Sequence, residues 1–124
     1  VINGAHMVIH SRDAEADRRF LRDVLGWAYV DAGHGWLIFE APPTEVACHP
    51  TEGEPSHELM LMCDDLDATV AELTRAEVEF TRPVQDVRWG RVTAFRLPGG
   101  GEIAVYEPRH PRPGEADAVR EPGR

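Results

Sequence analysis

Three features of the 124-residue sequence predict an α+β fold made of two similar units: a segment that occurs twice in outline, alternating apolar patterns typical of strands, and two capped helical stretches. The first copy, His6-Met7-Val8-Ile9-His10-Ser11-Arg12-Asp13, runs into Ala14-Glu15-Ala16-Asp17-Arg18-Arg19-Phe20-Leu21. The second, Glu58-Leu59-Met60-Leu61-Met62-Cys63-Asp64-Asp65, runs into Leu66-Asp67-Ala68-Thr69-Val70-Ala71-Glu72-Leu73. A repeat of about half the chain implies two units packed together, with any site in the groove between them. Superposing Asp13 on Asp65 sets His6 over Glu58.

In the first unit, alternation puts Met7 and Ile9 on one face of a strand over residues 5–11, with His6, Val8 and His10 on the other. A helix over 14–25 is capped by Asp13, carries Phe20, Leu21, Val24 and Leu25 at helical spacing, and stops at Gly26. Strands over 27–30 and 36–41 are joined by the turn Ala32-Gly33-His34-Gly35, and a third over 45–49 follows Pro42-Pro43. The second unit repeats the order. Its strand covers 58–63 and its helix 66–76, a strand starts at 79–81, and a hairpin of 91–96 and 102–106 turns at Pro98-Gly99-Gly100-Gly101. Proline, glycine and charge beyond residue 108 predict a disordered tail over 109–124.

Composition narrows the function. The net charge is -9, and the tail from residue 109 carries four arginines against three acids, so the negative excess lies in the folded part. That argues against a nucleic-acid partner bound through phosphate neutralisation. Cys48 and Cys63 sit in apolar strand patterns rather than a Cys-x-x-Cys spacing, so buried reduced thiols and a cytoplasmic location are expected. No leader-like segment opens the chain and no apolar run nears spanning length, so neither a signal peptide nor a membrane anchor is expected. Asp64 and Asp65 read as caps of the second helix, Gly99-Gly100-Gly101 as a turn, and Trp27 and Trp89 as module-edge residues, with Trp89-Gly90 on a loop that could border a site.

The element order, with Phe20-Leu21-Arg22-Asp23-Val24-Leu25-Gly26, Pro83-Val84, Trp89-Gly90, Pro98-Gly99-Gly100 and Tyr106-Glu107-Pro108, resembles the vicinal oxygen chelate superfamily. That group includes glyoxalase I, type I extradiol dioxygenases, fosfomycin resistance proteins and bleomycin-binding proteins. The resemblance implies one domain over 1–108 made of paired βαβββ modules, about 3–50 and 56–108. Their mixed sheets would curl into a cup with the helices outside, commonly completed in a homodimer.

Enzymes of the superfamily hold a divalent metal, and imidazole with carboxylate suits iron, manganese, nickel or zinc. His6 falls on the first ligand position. In the second unit the choice lies between His57 and Glu58, and only the Glu58 register avoids burying an unpaired carboxylate; it turns Leu59, Leu61 and Cys63 to the core and Met60 and Met62 to the cup. By the resemblance, Ala47 and Ala104 occupy the other two ligand positions, and alanine binds no metal. Glu107 falls on the opposite face of its strand and reads as a solvated end.

The expected inward set is therefore His6, Val8, His10, Trp36, Ile38, His49, Glu58, Met60, Met62, Glu102, Ala104 and Tyr106. Two readings follow. In the first, a protein without a cofactor binds or sequesters an aromatic or polycyclic molecule through His10, Trp36, Ile38, His49, Met60, Met62, Glu102 and Tyr106, as the bleomycin-binding members do. In the alternative, His6 and Glu58, with His49 or Glu102 as third ligand, hold a metal for a dioxygenase or a glyoxalase-like lyase or isomerase. No catalytic residue is assigned by the sequence.

Overall fold

The computed structural model describes residues 6–111. Helix α1 (Ala14–Asp23) is followed by the short strands β1 (Tyr29–Asp31) and β2 (Leu37–Phe39). Then come β3 (Met60–Met62), α2 (Leu66–Arg75) and three longer strands, β4 (Phe80–Val87), β5 (Gly90–Arg96) and β6 (Glu102–Pro108). β1 and β2 pair as an antiparallel hairpin, while the second unit forms a four-stranded sheet in the order β3-β6-β5-β4. β3 runs parallel to β6; the other neighbours are antiparallel. The helix between β3 and its partner strand supplies the crossover that parallel pairing needs.

Both helices begin and end as their sequences dictate. The Asp13 carboxylate accepts the Ala16 N–H and that of Asp65 accepts the Ala68 N–H, each at 3.0 Å, satisfying donors that a first turn leaves orphaned. α1 closes with the Val24 and Leu25 N–H groups on the Phe20 carbonyl, and Gly26 then turns the chain at φ +70°, a region open to glycine. α2 has a second anion at its start. Glu107 Oε1 accepts the Leu66 N–H at 2.9 Å, so Glu107 caps α2 from the helix side of the sheet rather than ending the strand in solvent.

Alternation gives the four-stranded sheet two faces. On the helix face, Phe95, Leu97, Ile103 and Val105 pack with Phe20 of α1 and with Leu66 and Leu73 of α2. Phe95 stacks on Phe20 at 5.8 Å and meets Phe80 edge-on at 6.4 Å. Phe95 and Leu66 are fully enclosed, each a burial of about 1.5–3 kcal/mol. Leu59, Leu61 and Cys63 pack against this core and Met60 against the opposite face, the alternation that the Glu58 register requires.

The first unit departs from expectation. Residues 6–11 and 45–49, expected as strands, form none, and residues 40–59 run without regular structure between β2 and β3. A strand is held by its ladder, and among the described residues neither segment meets one; the hairpin too is a separate two-stranded sheet. The alternation in residues 6–11 survives only as Ile9 packing against the helix-side core, while Met7 and Val8 are exposed. β4 starts within the expected 79–81 and is irregular, with register shifts on both sides of Arg82, where Pro83 cannot donate to a ladder.

Beyond β6, Arg109 and His110, assigned to the tail from sequence, are tied to the sheet. Arg109 N–H donates to the Trp89 carbonyl at 2.9 Å, and its guanidinium pairs with Asp86. The remainder of that expected tail, 112–124, lies outside the described residues.

Candidate ligand-binding face

The sheet face turned away from the helices is laid out by strand register, because residues paired across neighbouring strands point the same way. One row reads Met60, Ala104, Ala94, Arg82; the next reads Met62, Tyr106, Val92, Gln85. Val92, Ala94 and Ala104 are buried at the centre, with Met60, Val87 and Tyr106 packed around them. The centre of the face is thus low and apolar.

One end is aromatic. Trp89, on the β4–β5 turn, meets Tyr106 edge-on at 5.1 Å, and the Tyr106 phenol is 2.9 Å from His110 Nε2. His110 Nδ1 lies 2.9 Å from the Pro111 carbonyl, which can only accept. With Nδ1 donating to that carbonyl, the Nε2 of a neutral ring accepts the Tyr106 hydroxyl proton. Sequence reading missed His110 because the tail composition masked it.

The other end is polar. Glu102 Oε1 accepts from Thr81 Oγ1 at 2.9 Å and from Arg82 Nε at 3.1 Å. Glu102, proposed from sequence as a ligand, is thus engaged by its neighbours on β4. The Arg82 part of this arrangement had no sequence signal, since the irregular register of β4 decides which way Arg82 points.

The remaining candidates lie elsewhere. His6, His10, His49 and Glu58 are exposed and outside strands. Trp36 and Ile38 are on the separate hairpin, where the Arg18 guanidinium sits 4.7 Å over the Trp36 ring. Among the described residues no three His, Cys, Asp or Glu side chains converge as a metal would require. At the centre of the face Ala104 offers a metal no donor. A separate cleft of about 420 Å³ on the helix side is lined by Phe20, Val24, Val78 and Leu97, with Glu77, Glu79 and Arg96.

Burial among apolar groups pushes the Cys63 thiol up, which makes it a poor nucleophile; its Sγ rests against the Tyr106 carbonyl. Among the described residues no helix is long and apolar enough to cross a membrane.

Residues 5–110 match the family model described as the Glyoxalase/Bleomycin resistance protein/Dioxygenase superfamily, and the chain belongs to that superfamily. No curated protein matches the sequence. Among solved structures the chain is similar to TnmS3, an antibiotic-binding protein from Streptomyces sp. CB03234, at 27% identity and TM-score 0.56, over 83% of this chain and 99% of that one. It is also similar to a glyoxalase/bleomycin resistance protein from the same organism, at 27% identity and TM-score 0.54, over 79% and 94%. Lactoylglutathione lyase from Agrobacterium tumefaciens shares the fold at TM-score 0.62 over 85% and 92%, with 17% identity.

Proposed function

We propose that this protein binds or sequesters a small planar aromatic molecule on the sheet face floored by Ala94 and Ala104. The observation that carries this reading is the floor itself: Ala104, which by the family resemblance stands where the enzymes hold a carboxylate, is buried beside Ala94 and flanked by Met60 and Tyr106. Small side chains leave room for a flat ligand, and the thioethers with Tyr106 and Trp89 supply polarisable contact area. Similarity to an antibiotic-binding protein supports a binding role.

In this reading a second copy of the chain completes the site. The first unit exposes Val46, Val8, Val30 and Trp36 to between 63% and 89%, apolar surface that would be covered on dimerisation. His6, His10, Trp36, Ile38, His49 and Glu58 then belong to the part of the cup that the dimer assembles. A cytoplasmic location accords with two free cysteines.

Titration with a panel of bicyclic and tricyclic aromatics, read by tryptophan fluorescence and melting temperature, tests the function. A binder present at about 100 times its Kd stabilises the fold by about 2.7 kcal/mol. Saturable quenching with a raised Tm is expected. Stoichiometric iron, manganese, nickel or zinc that is lost in His6→Ala and Glu58→Ala would refute the proposal in favour of a metal-dependent enzyme.

A further inference from the structure

We propose that Arg82 is the polar anchor of this face and selects neutral planar ligands that carry an acceptor oxygen, such as an aryl ketone or aryl amide. The inference rests on the binding reading above and names the ligand's chemistry. Arg82 pairs in register with Ala94, in the same row as Ala104 and Met60, so it borders the apolar floor. Its Nε is fixed by Glu102, which Thr81 Oγ1 holds in turn. This leaves both terminal nitrogens without a hydrogen-bond partner among the described residues.

A guanidinium is donor-only and planar, so those terminal N–H groups call for an acceptor on a flat ligand. Charge decides which acceptor. The Glu102 carboxylate already balances Arg82, and the chain carries -9 overall, so an anionic ligand would meet repulsion that a carbonyl oxygen does not. The opposite end of the face presents Trp89 and Tyr106, which suits the ligand's aromatic body. A ligand oriented in this way spans the alanine floor with its oxygen toward β4.

The probes are 2-acetylnaphthalene and 2-ethylnaphthalene, which match in shape and differ in the acceptor oxygen, with 2-naphthoate as the anionic comparison. Binding is measured to the full chain and to Arg82→Gln, together with the Arg82 Nε–H resonance in a nitrogen-correlated NMR spectrum. The ketone is expected to bind the wild-type chain at least about tenfold more tightly than the hydrocarbon, the scale of one hydrogen bond to a charged group. It should shift the Arg82 resonance and lose its advantage in Arg82→Gln, while the hydrocarbon binds both proteins equally. Equal affinity for ketone and hydrocarbon, or tighter binding of naphthoate, would overturn the anchor while leaving the aromatic face intact. Binding of none of the three would overturn both readings.

Discussion

Asp17 in the middle of α1 accepts the N–H of Gly99 in the β5–β6 turn at 2.7 Å, across 82 residues of sequence. The contact joins the first unit's helix to the second unit's sheet, and the Arg12 N–H on the Gly99 carbonyl at 3.3 Å reinforces it. Asp17 is only 5% exposed, and its second oxygen, Oδ2, has no hydrogen-bond partner among the described residues. A Cβ at residue 99 would collide with Ser11 Oγ and lie 2.8 and 2.9 Å from the two Asp17 carboxyl oxygens, so one of these side chains would have to move.

Gly99→Ala should therefore destabilise the fold by about 1–3 kcal/mol, the usual scale of overpacking. Chemical denaturation should show a lower midpoint with an unchanged slope. Asp17→Asn keeps an acceptor for Gly99 and removes a buried charge, so it should cost far less than Asp17→Ala, which strands the Gly99 N–H at about 1–3 kcal/mol. Equal losses in the two Asp17 variants would contradict the role assigned to this hydrogen bond.

Glu107 offers a second check on how the sheet and helices are joined. Glu107→Ala removes the carboxylate that receives the Leu66 N–H, and a loss of about 0.5–2 kcal/mol is expected, on the scale of a helix cap. Hydrogen exchange of the Leu66 amide should quicken more than that of Leu73. An unchanged Leu66 amide would show that the cap does not operate.

Acid sensitivity follows from two exposed ion pairs. A side-chain hydrogen bond from Arg91 holds the Asp67 carboxyl below its ordinary 3.8, and one from Arg109 does the same for Asp86. A depressed folded value means that each pair contributes stability above about pH 4 and loses it as pH falls through the folded value. Both groups are solvent-exposed, so the effect should be small and should fade in high salt. Asp67→Asn should lower the Tm slightly at neutral pH and converge on the wild-type value in acid, so that its profile is flatter below pH 4. A large change at pH 7 would refute this.

The two cysteines should differ in reactivity. Cys48 is exposed, whereas burial raises the Cys63 thiol and places it against the Tyr106 carbonyl. A thiol reagent at pH 8 should label Cys48 rapidly and Cys63 more slowly. Equal labelling rates would contradict the packing of β3.

The second unit was legible in sequence because its strands find partners within the chain: the alternation of Leu59, Leu61 and Cys63 against Met60 translates directly into two faces. Capping by Asp13 and Asp65 was legible for the same local reason. The strands expected over 5–11 and 45–49 are not realised in the described residues 6–11 and 45–49, since an alternating pattern states which face could be buried but not whether a neighbour exists to bury it. Of the residues on this face, Met60 could be assigned from the alternation of its strand, and Ala104 and Tyr106 from the family resemblance. Arg82 and His110 could not, because one depends on the irregular register of β4 and the other on a tail-like segment folding back onto Tyr106.

The central claim is that the alanine-floored face is a ligand surface. It is tested most directly by the methyl resonances of the three methionines, Met7, Met60 and Met62, during titration with 2-acetylnaphthalene. Ring-current shifts of the Met60 and Met62 methyls that saturate, and that disappear when Ala104→Leu fills the floor, are the predicted result. Saturable binding that leaves both methyls unmoved, or that survives Ala104→Leu unchanged, would contradict it.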